Sequence, residues 1–104
     1  ILPALNEEGA VGEVVSRVLA SGQVRRVVVA DNGSTDATAA RAREAGATVV
    51  HEPERGYGAA CLRALHHLRS EPPEVVVFID GERRPRPFNR YRQTSVNTAI
   101  FQPQ

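Results

Sequence analysis

Over its first eighty residues the chain repeatedly sets a short β-branched run against an alanine-rich stretch with helical spacing. Ile1 and Leu2 read as the end of a first strand, broken by Pro3. From Glu8 to Ala20, Val11, Val14, Val15, Val18 and Leu19 recur as one helical stripe. Val27 to Ala30 is wholly apolar, as a strand covered on both faces must be. Asp31-Asn32-Gly33-Ser34 reads as a turn, with Ser34 or Thr35 capping a helix through Ala37, Ala40, Arg41 and Ala45 that Gly46 ends. Thr48 to Val50 makes a third strand. Gly56 and Gly58 turn the chain into a third helix lined by Cys61, Ala64, Leu65 and Leu68, and Pro72 and Pro73 separate it from a fourth strand, Val75 to Ile79. The order βαβαβαβ predicts a parallel sheet with right-handed crossovers.

The length of 104 residues allows one small domain. A net charge of +1 gives no electrostatic reason to expect nucleic acid, a membrane surface or an acidic partner. The single cysteine excludes an internal disulfide and favours a reducing compartment. No apolar run is long enough to span a bilayer, and no signal-peptide pattern is present. The chain has no methionine, and Ile1 and Leu2 already read as the inside of a buried strand, so further chain is expected upstream.

The alternation stops at Asp80. Residues 81–104 carry Arg83, Arg84, Arg86, Arg90 and Arg92, with three prolines and neither a helical nor a strand period. They read as a basic, irregular or disordered tail. Too few aromatic residues accompany the arginines for a nucleic-acid arm.

In an open parallel sheet, ligands bind beyond the carboxyl ends of the strands, near the point where strand order reverses. The polar residues gather at those ends: Asn6 and Glu7 after strand one, Asp31 and Asn32 after strand two, Arg55 and Gly56 after strand three, Asp80 and Glu82 after strand four. Two carboxylates at i and i+2 are hard oxygen donors suited to a cation such as Mg2+ or Mn2+.

Four segments in this order and spacing carry a family resemblance: Leu2-Pro3-Ala4-Leu5-Asn6-Glu7-Glu8, Val28-Val29-Ala30-Asp31-Asn32-Gly33-Ser34-Thr35-Asp36, Arg55-Gly56-Tyr57-Gly58-Ala59-Ala60 and Phe78-Ile79-Asp80-Gly81-Glu82. Together they resemble the family 2 glycosyltransferases, including those that use polyprenyl phosphates. The resemblance implies an α/β fold: a Rossmann-like parallel sheet forming the N-terminal half of a GT-A domain, over residues 1–82, with 83–104 as the tail. It implies that Pro3, Leu5, Asn6 and Glu7 pack against the nucleobase and ribose, and that Asp31 accepts a hydrogen bond from a base N–H of uracil or guanine. Gly56 would let the backbone approach the nucleotide. Asp80 would bind the nucleotide and, with Glu82, a divalent metal. Glu82 departs from the family's usual aspartate, and nothing after it matches the family. An abrupt change of this kind is what a reading-frame slip produces.

The resemblance further implies a UDP- or GDP-linked sugar as donor. The acceptor, a polyprenyl phosphate being one candidate, and the catalytic base belong to the other half of the domain. On this reading the chain is cytoplasmic, at the inner membrane face in full-length relatives, and inactive alone. Asp36 reads as a charge complementing a helix N-terminus, Cys61 as a buried thiol, and His66 and His67 as solvated residues near a helix end. His51 follows strand three within reach of the cleft and is assigned no role. A different class of function is a non-catalytic remnant that binds nucleotide weakly. A dinucleotide-binding domain is a third, but its Gly-x-Gly should follow strand one, where Pro3-Ala4-Leu5-Asn6-Glu7 stands instead.

Overall fold

The computed structural model describes residues 1–80 and 97–101, with the backbone alone at 80 and 97–101. In chain order the elements are β1 (Leu2–Ala4), α1 (Val11–Ala20), β2 (Val28–Asp31), α2 (Thr38–Glu44), β3 (Thr48–His51), α3 (Tyr57–His67), a 3-10 turn (Leu68–Ser70), β4 (Val76–Asp80) and β5 (Asn97–Phe101). The expected βαβαβαβ order is present.

β1, β2 and β3 form a parallel sheet in that order, with Leu2 opposite Val29 and Val28 opposite Thr48. β4 lies along the free side of β1. The Ile1 amino group donates to the Val77 carbonyl at 2.8 Å, and the Ile79 N–H donates to the Ile1 carbonyl at 2.8 Å. These two bonds have the slant of a parallel ladder. Strand order therefore runs outward from β1 to β3 on one side and jumps back across β1 to β4 on the other.

That reversal decides where the helices go. Right-handed crossovers running one way place their helices on one face, and the crossover that reverses places its helix on the other. Accordingly Val11 and Val15 of α1 and Ala42 of α2 pack with Leu2, Ala4 and Val29 on one face. Ala60 and Ala64 of α3 pack with Ile1, Val28, Ala30 and Val76 on the opposite face. All four residues of β2 are buried, as the central position between two helical layers requires. Burying a valine such as Val15, fully covered here, contributes about 1.5–3 kcal/mol.

Several boundaries differ from the sequence reading. Pro3 does not break β1 but sits inside it, opposite Ala30. Ala4 accepts the Asn32 N–H and so faces β2, whereas Ile1 bonds to β4. Pro3 shares the Ile1 side, so its missing N–H removes nothing from the β1–β2 ladder. α1 starts at Val11 rather than Glu8, because residues 8–10 form a turn closed by the Ala10 and Val11 N–H groups on the Glu7 carbonyl. β2 and β3 each run one residue further than expected, to Asp31 and His51, and β4 runs to Asp80.

α2 does end at Gly46 as expected. Gly46 N–H donates to Arg43 and Ala47 N–H to Ala42, at 3.0 Å each, with Gly46 at φ 107°. This is a Schellman closure. Within the tail read as irregular, residues 97–101 form β5, antiparallel to β4 with Val76 opposite Phe101. Pairing with β4 supplies the hydrogen bonds that a lone five-residue strand lacks. Among the described residues no helix is long and apolar enough to cross a membrane.

Candidate functional site

The carboxyl ends of β1 and β2 are covered by two loops, residues 5–10 and 32–37, that are bonded to each other. Asn6 adopts φ 50°, a conformation that asparagine tolerates better than most residues. Its N–H donates to Ser34 Oγ at 2.9 Å, and its Oδ1 accepts the Thr35 N–H at 2.8 Å. The Glu7 N–H donates to Thr38 Oγ1 at 2.8 Å, and Glu8 Oε2 accepts the Ala37 N–H at 3.1 Å. Ser34 and Thr35, expected to cap α2, are thus engaged with Asn6. Asp36 takes the capping role, its Oδ1 accepting the Thr38 N–H at 2.9 Å and also the Thr38 hydroxyl. That hydroxyl is the main reason the Asp36 carboxyl is held below its ordinary value; desolvation opposes it, and the Thr38 and Glu8 N–H groups add to the lowering. Asp36 therefore sits at a helix N-terminus, as the sequence suggested.

Asp31 ends β2 on the face shared with α1 and α2, and only 3% of it is exposed. Its Oδ1 accepts the Ser34 N–H at 3.0 Å, and its Oδ2 lies 3.3 Å from His51 Nδ1. Asn32, one residue on, points to the opposite face and is fully employed there. Its Nδ2 donates to the Glu52 and Glu54 carbonyls at 2.9 and 2.7 Å, and its Oδ1 accepts the Gly56 N–H at 2.9 Å. Asn32 is therefore the staple that shapes the β3–α3 loop. Gly56 opens α3 at φ 131° and ψ 147°, a conformation in which a Cβ is strained. Glu52, 8% exposed, is held by Arg63 Nε at 2.9 Å, which ties the same loop to α3.

Pro3 and Leu5 are half-buried along the β1 exit, Asn6 is exposed and Glu7 is half-buried. Asp80 is the last residue of β4, the strand beside β1 across the reversal of strand order. The residues named from the sequence at the ends of β1, β2 and β4 thus lie along one edge of the sheet. Glu82 lies outside the described residues. Cys61 is buried as expected, and burial pushes its thiol up despite a hydrogen bond from Tyr57. His66 and His67 fall in the last turn of α3.

Two residues went unassigned in the sequence reading. Asn32 was placed among the polar residues at the strand ends, but its stapling role gave no local signal, because its partners are main-chain groups 20 to 24 positions away. His51 could have been found by register. Val28 pairs with Thr48, so Asp31 must stand beside His51, with both side chains on one face.

The glycosyl transferase family 2 profile matches residues 1–87. This chain belongs to glycosyltransferase family 2. It is 38% identical over 92 residues to the glucosyl-3-phosphoglycerate synthase of Mycolicibacterium smegmatis, covering 79% of this chain and 29% of that enzyme. An uncharacterized glycosyltransferase of Mycobacterium tuberculosis is 47% identical over 82 residues, covering 79% of this chain and 35% of its own length. Among solved structures, the glucosyl-3-phosphoglycerate synthase of M. tuberculosis with Mn2+, UDP-glucose and phosphoglyceric acid superposes with a TM-score of 0.62 at 38% identity, over 77% of this chain and 31% of that one. The same enzyme with Mg2+ and UDP gives a TM-score of 0.62 at 38% identity, with the same coverage. The chain thus spans about three tenths of the length of these synthases. All four segments that carry the family 2 resemblance, Glu82 included, fall inside the matched residues.

Proposed function

We propose that this chain is the donor-binding part of a family 2 glycosyltransferase and takes a UDP-linked sugar together with a divalent cation. The observation that carries the reading is the pair of cross-bonded loops holding Asn6, Glu7 and Asp31 at one sheet edge, with Asp80 ending the strand on the other side of β1. Solved relatives with the same fold carry UDP or UDP-glucose with Mn2+ or Mg2+.

In this reading Pro3, Leu5, Asn6 and Glu7 contact the base and ribose, and Asp31 accepts a base N–H. The exposed turn at Gly56, free of a Cβ, admits the nucleotide to the backbone. Asp80 and Glu82 would hold the cation; their carboxylates are hard donors of the kind Mg2+ and Mn2+ select. When bound, the cation supplies charge neutralisation at the departing diphosphate. Glu82 is one methylene longer than aspartate, so it would hold the ion through a longer side chain.

Transfer also needs an acceptor held for attack and a base to activate it. We assign both to chain beyond the donor-side segments, so the 104 residues alone bind and do not turn over. The solved relatives carry phosphoglyceric acid, which supports a small phosphorylated acid as the acceptor of the whole enzyme in place of a polyprenyl phosphate.

The test is a thermal-shift titration with UDP, GDP and NAD, each with and without Mn2+. A ligand binding only the folded state at a hundred times its Kd adds about 2.7 kcal/mol. UDP is expected to raise the melting temperature, and Mn2+ to enlarge that rise. A shift with NAD alone, or none with any nucleotide, overturns the reading.

A further inference from the structure

Asp31 is nearly closed to solvent, with 4% of its side chain exposed, and the His51 imidazole beside it is 62% exposed. The two are register partners at the ends of β2 and β3, so the contact is fixed by the sheet. The Asp31 oxygens are differently placed. Oδ1 already accepts the Ser34 N–H at 3.0 Å, whereas Oδ2 faces His51 Nδ1 at 3.3 Å. A base N–H coming from solvent therefore meets Oδ2 with His51 as its immediate neighbour.

We infer that His51 is a specificity-determining residue of the donor site, reading the base carbonyl next to the N–H that Asp31 accepts. The inference rests on the donor-site reading above. An acceptor alone discriminates poorly, because every base with a ring N–H or an amino group can donate to a carboxylate. The carboxylate beside it favours the imidazole tautomer with its proton on Nδ1. The 3.3 Å contact is an ion-pair contact without the alignment of a hydrogen bond, so the Nδ1–H is directed past Oδ2 and the two form a donor and an acceptor side by side. Uracil complements that pair with its N3–H and O4, and guanine with its N1–H and O6. Cytosine presents an acceptor at N3 beside an amino donor, and adenine an acceptor at N1 beside an amino donor. With the ring nitrogen held against Oδ2, as the N3–H of uracil is, each of these sets an acceptor against Oδ2 and a donor against Nδ1–H; pairing the amino group with Oδ2 instead requires the base to shift by one position, and a polar group left unpaired in a site is the stronger source of rejection. In that register His51 disfavours the amino bases.

UDP and CDP differ only at this edge, so their affinity ratio reads the contact directly. The full 104-residue chain, His51→Ala and His51→Asn are titrated calorimetrically with each nucleotide in the presence of Mn2+. The unaltered chain prefers UDP. His51→Ala shrinks that preference about 3- to 10-fold, the range of one hydrogen bond. His51→Asn restores most of it, because the amide nitrogen lies close to the place of Nδ1. Melting curves of the variants separate this from loss of fold, since His51 is mostly exposed. If UDP binds but His51→Ala keeps the full preference, or if the unaltered chain binds UDP and CDP equally, the inference fails and the donor-site reading stands. If the unaltered chain binds neither nucleotide, both fail.

Discussion

Replacing Asn32 by alanine tests whether one buried amide organises the β3–α3 loop. The side chain makes three hydrogen bonds of 2.7 to 2.9 Å, two donated to the Glu52 and Glu54 carbonyls and one accepted from the Gly56 N–H. At about 0.5–1.5 kcal/mol each, the upper sum is roughly 4.5 kcal/mol. Only the bond to Glu52 is fully buried; the Glu54 and Gly56 groups are part-buried, and water can partner them once the amide is gone. The expected loss is therefore about 2–3 kcal/mol. For a domain of this size that lowers Tm by roughly 10–20 °C. Asn32→Asp is the sharper variant. It keeps an acceptor for Gly56 but turns a carboxylate oxygen toward two carbonyl oxygens. At neutral pH it is expected to be less stable than Asn32→Ala. It recovers stability as pH falls, because the protonated carboxyl regains a donor; its folded-state pKa is raised, so the loss grows as pH climbs from the unfolded to the folded value. Thermal melts of both variants read these differences. An Asn32→Ala melt within about 3 °C of the unaltered chain, or an Asn32→Asp variant as stable as asparagine, would refute the assignment.

Two further outcomes follow from the same geometry. Gly46→Ala places a Cβ 3.1 Å from Leu19 Cδ1 at φ 107°, and should lower the urea midpoint by the equivalent of about 1–2 kcal/mol with an unchanged m-value. No change in midpoint would show that α2 is not closed by a left-handed residue. Asp36, whose carboxyl is lowered chiefly by the Thr38 hydroxyl, contributes stability that is present above the unfolded value of 3.8 and lost as pH falls below it. Thr38→Val should flatten that acid loss in urea titrations; an unaltered acid limb would mean that the hydroxyl is not the cause.

The alternation of strand and helix was legible because both faces of β2 are covered and each helix has a narrow apolar stripe, so period and composition agree. Its boundaries were less so, because they depend on partners far away in sequence. Ser34 and Thr35 have the chemistry of helix caps, and only the neighbouring loop, through Asn6, claims them instead. Pro3 breaks a strand in isolation, but a parallel strand uses alternate N–H groups on alternate sides, and the side decides. Asp31 was singled out by its motif, whereas His51 needed a register that no local pattern announces. β5 was hidden for a similar reason: Thr98, Ile100 and Phe101 suit a strand, but the segment sits among prolines and arginines and takes its hydrogen bonds from β4.

The cross-bonded loops also explain why the Leu5-Asn6-Glu7-Glu8 and Asp31 to Asp36 segments occur as a unit. Each loop has a few hydrogen bonds of its own, and the rest of its polar groups are satisfied by the other loop. Asn6 donates one bond to Ser34 and accepts two from Thr35, Glu7 and Glu8 bond to Thr38, Asp36 and Ala37, and within the second loop the Ser34 N–H donates to Asp31. The left-handed turn at Asn6 is held by those bonds rather than by its own preference. A ligand that meets these loops finds backbone already ordered, so less of its binding free energy is spent on fixing them. Under the proposed function, residues such as Thr38, fully buried and turned away from solvent, would act on affinity through the loops alone. In a chain with so small a core, that ordering is where the sheet's stability and the site's geometry become the same quantity.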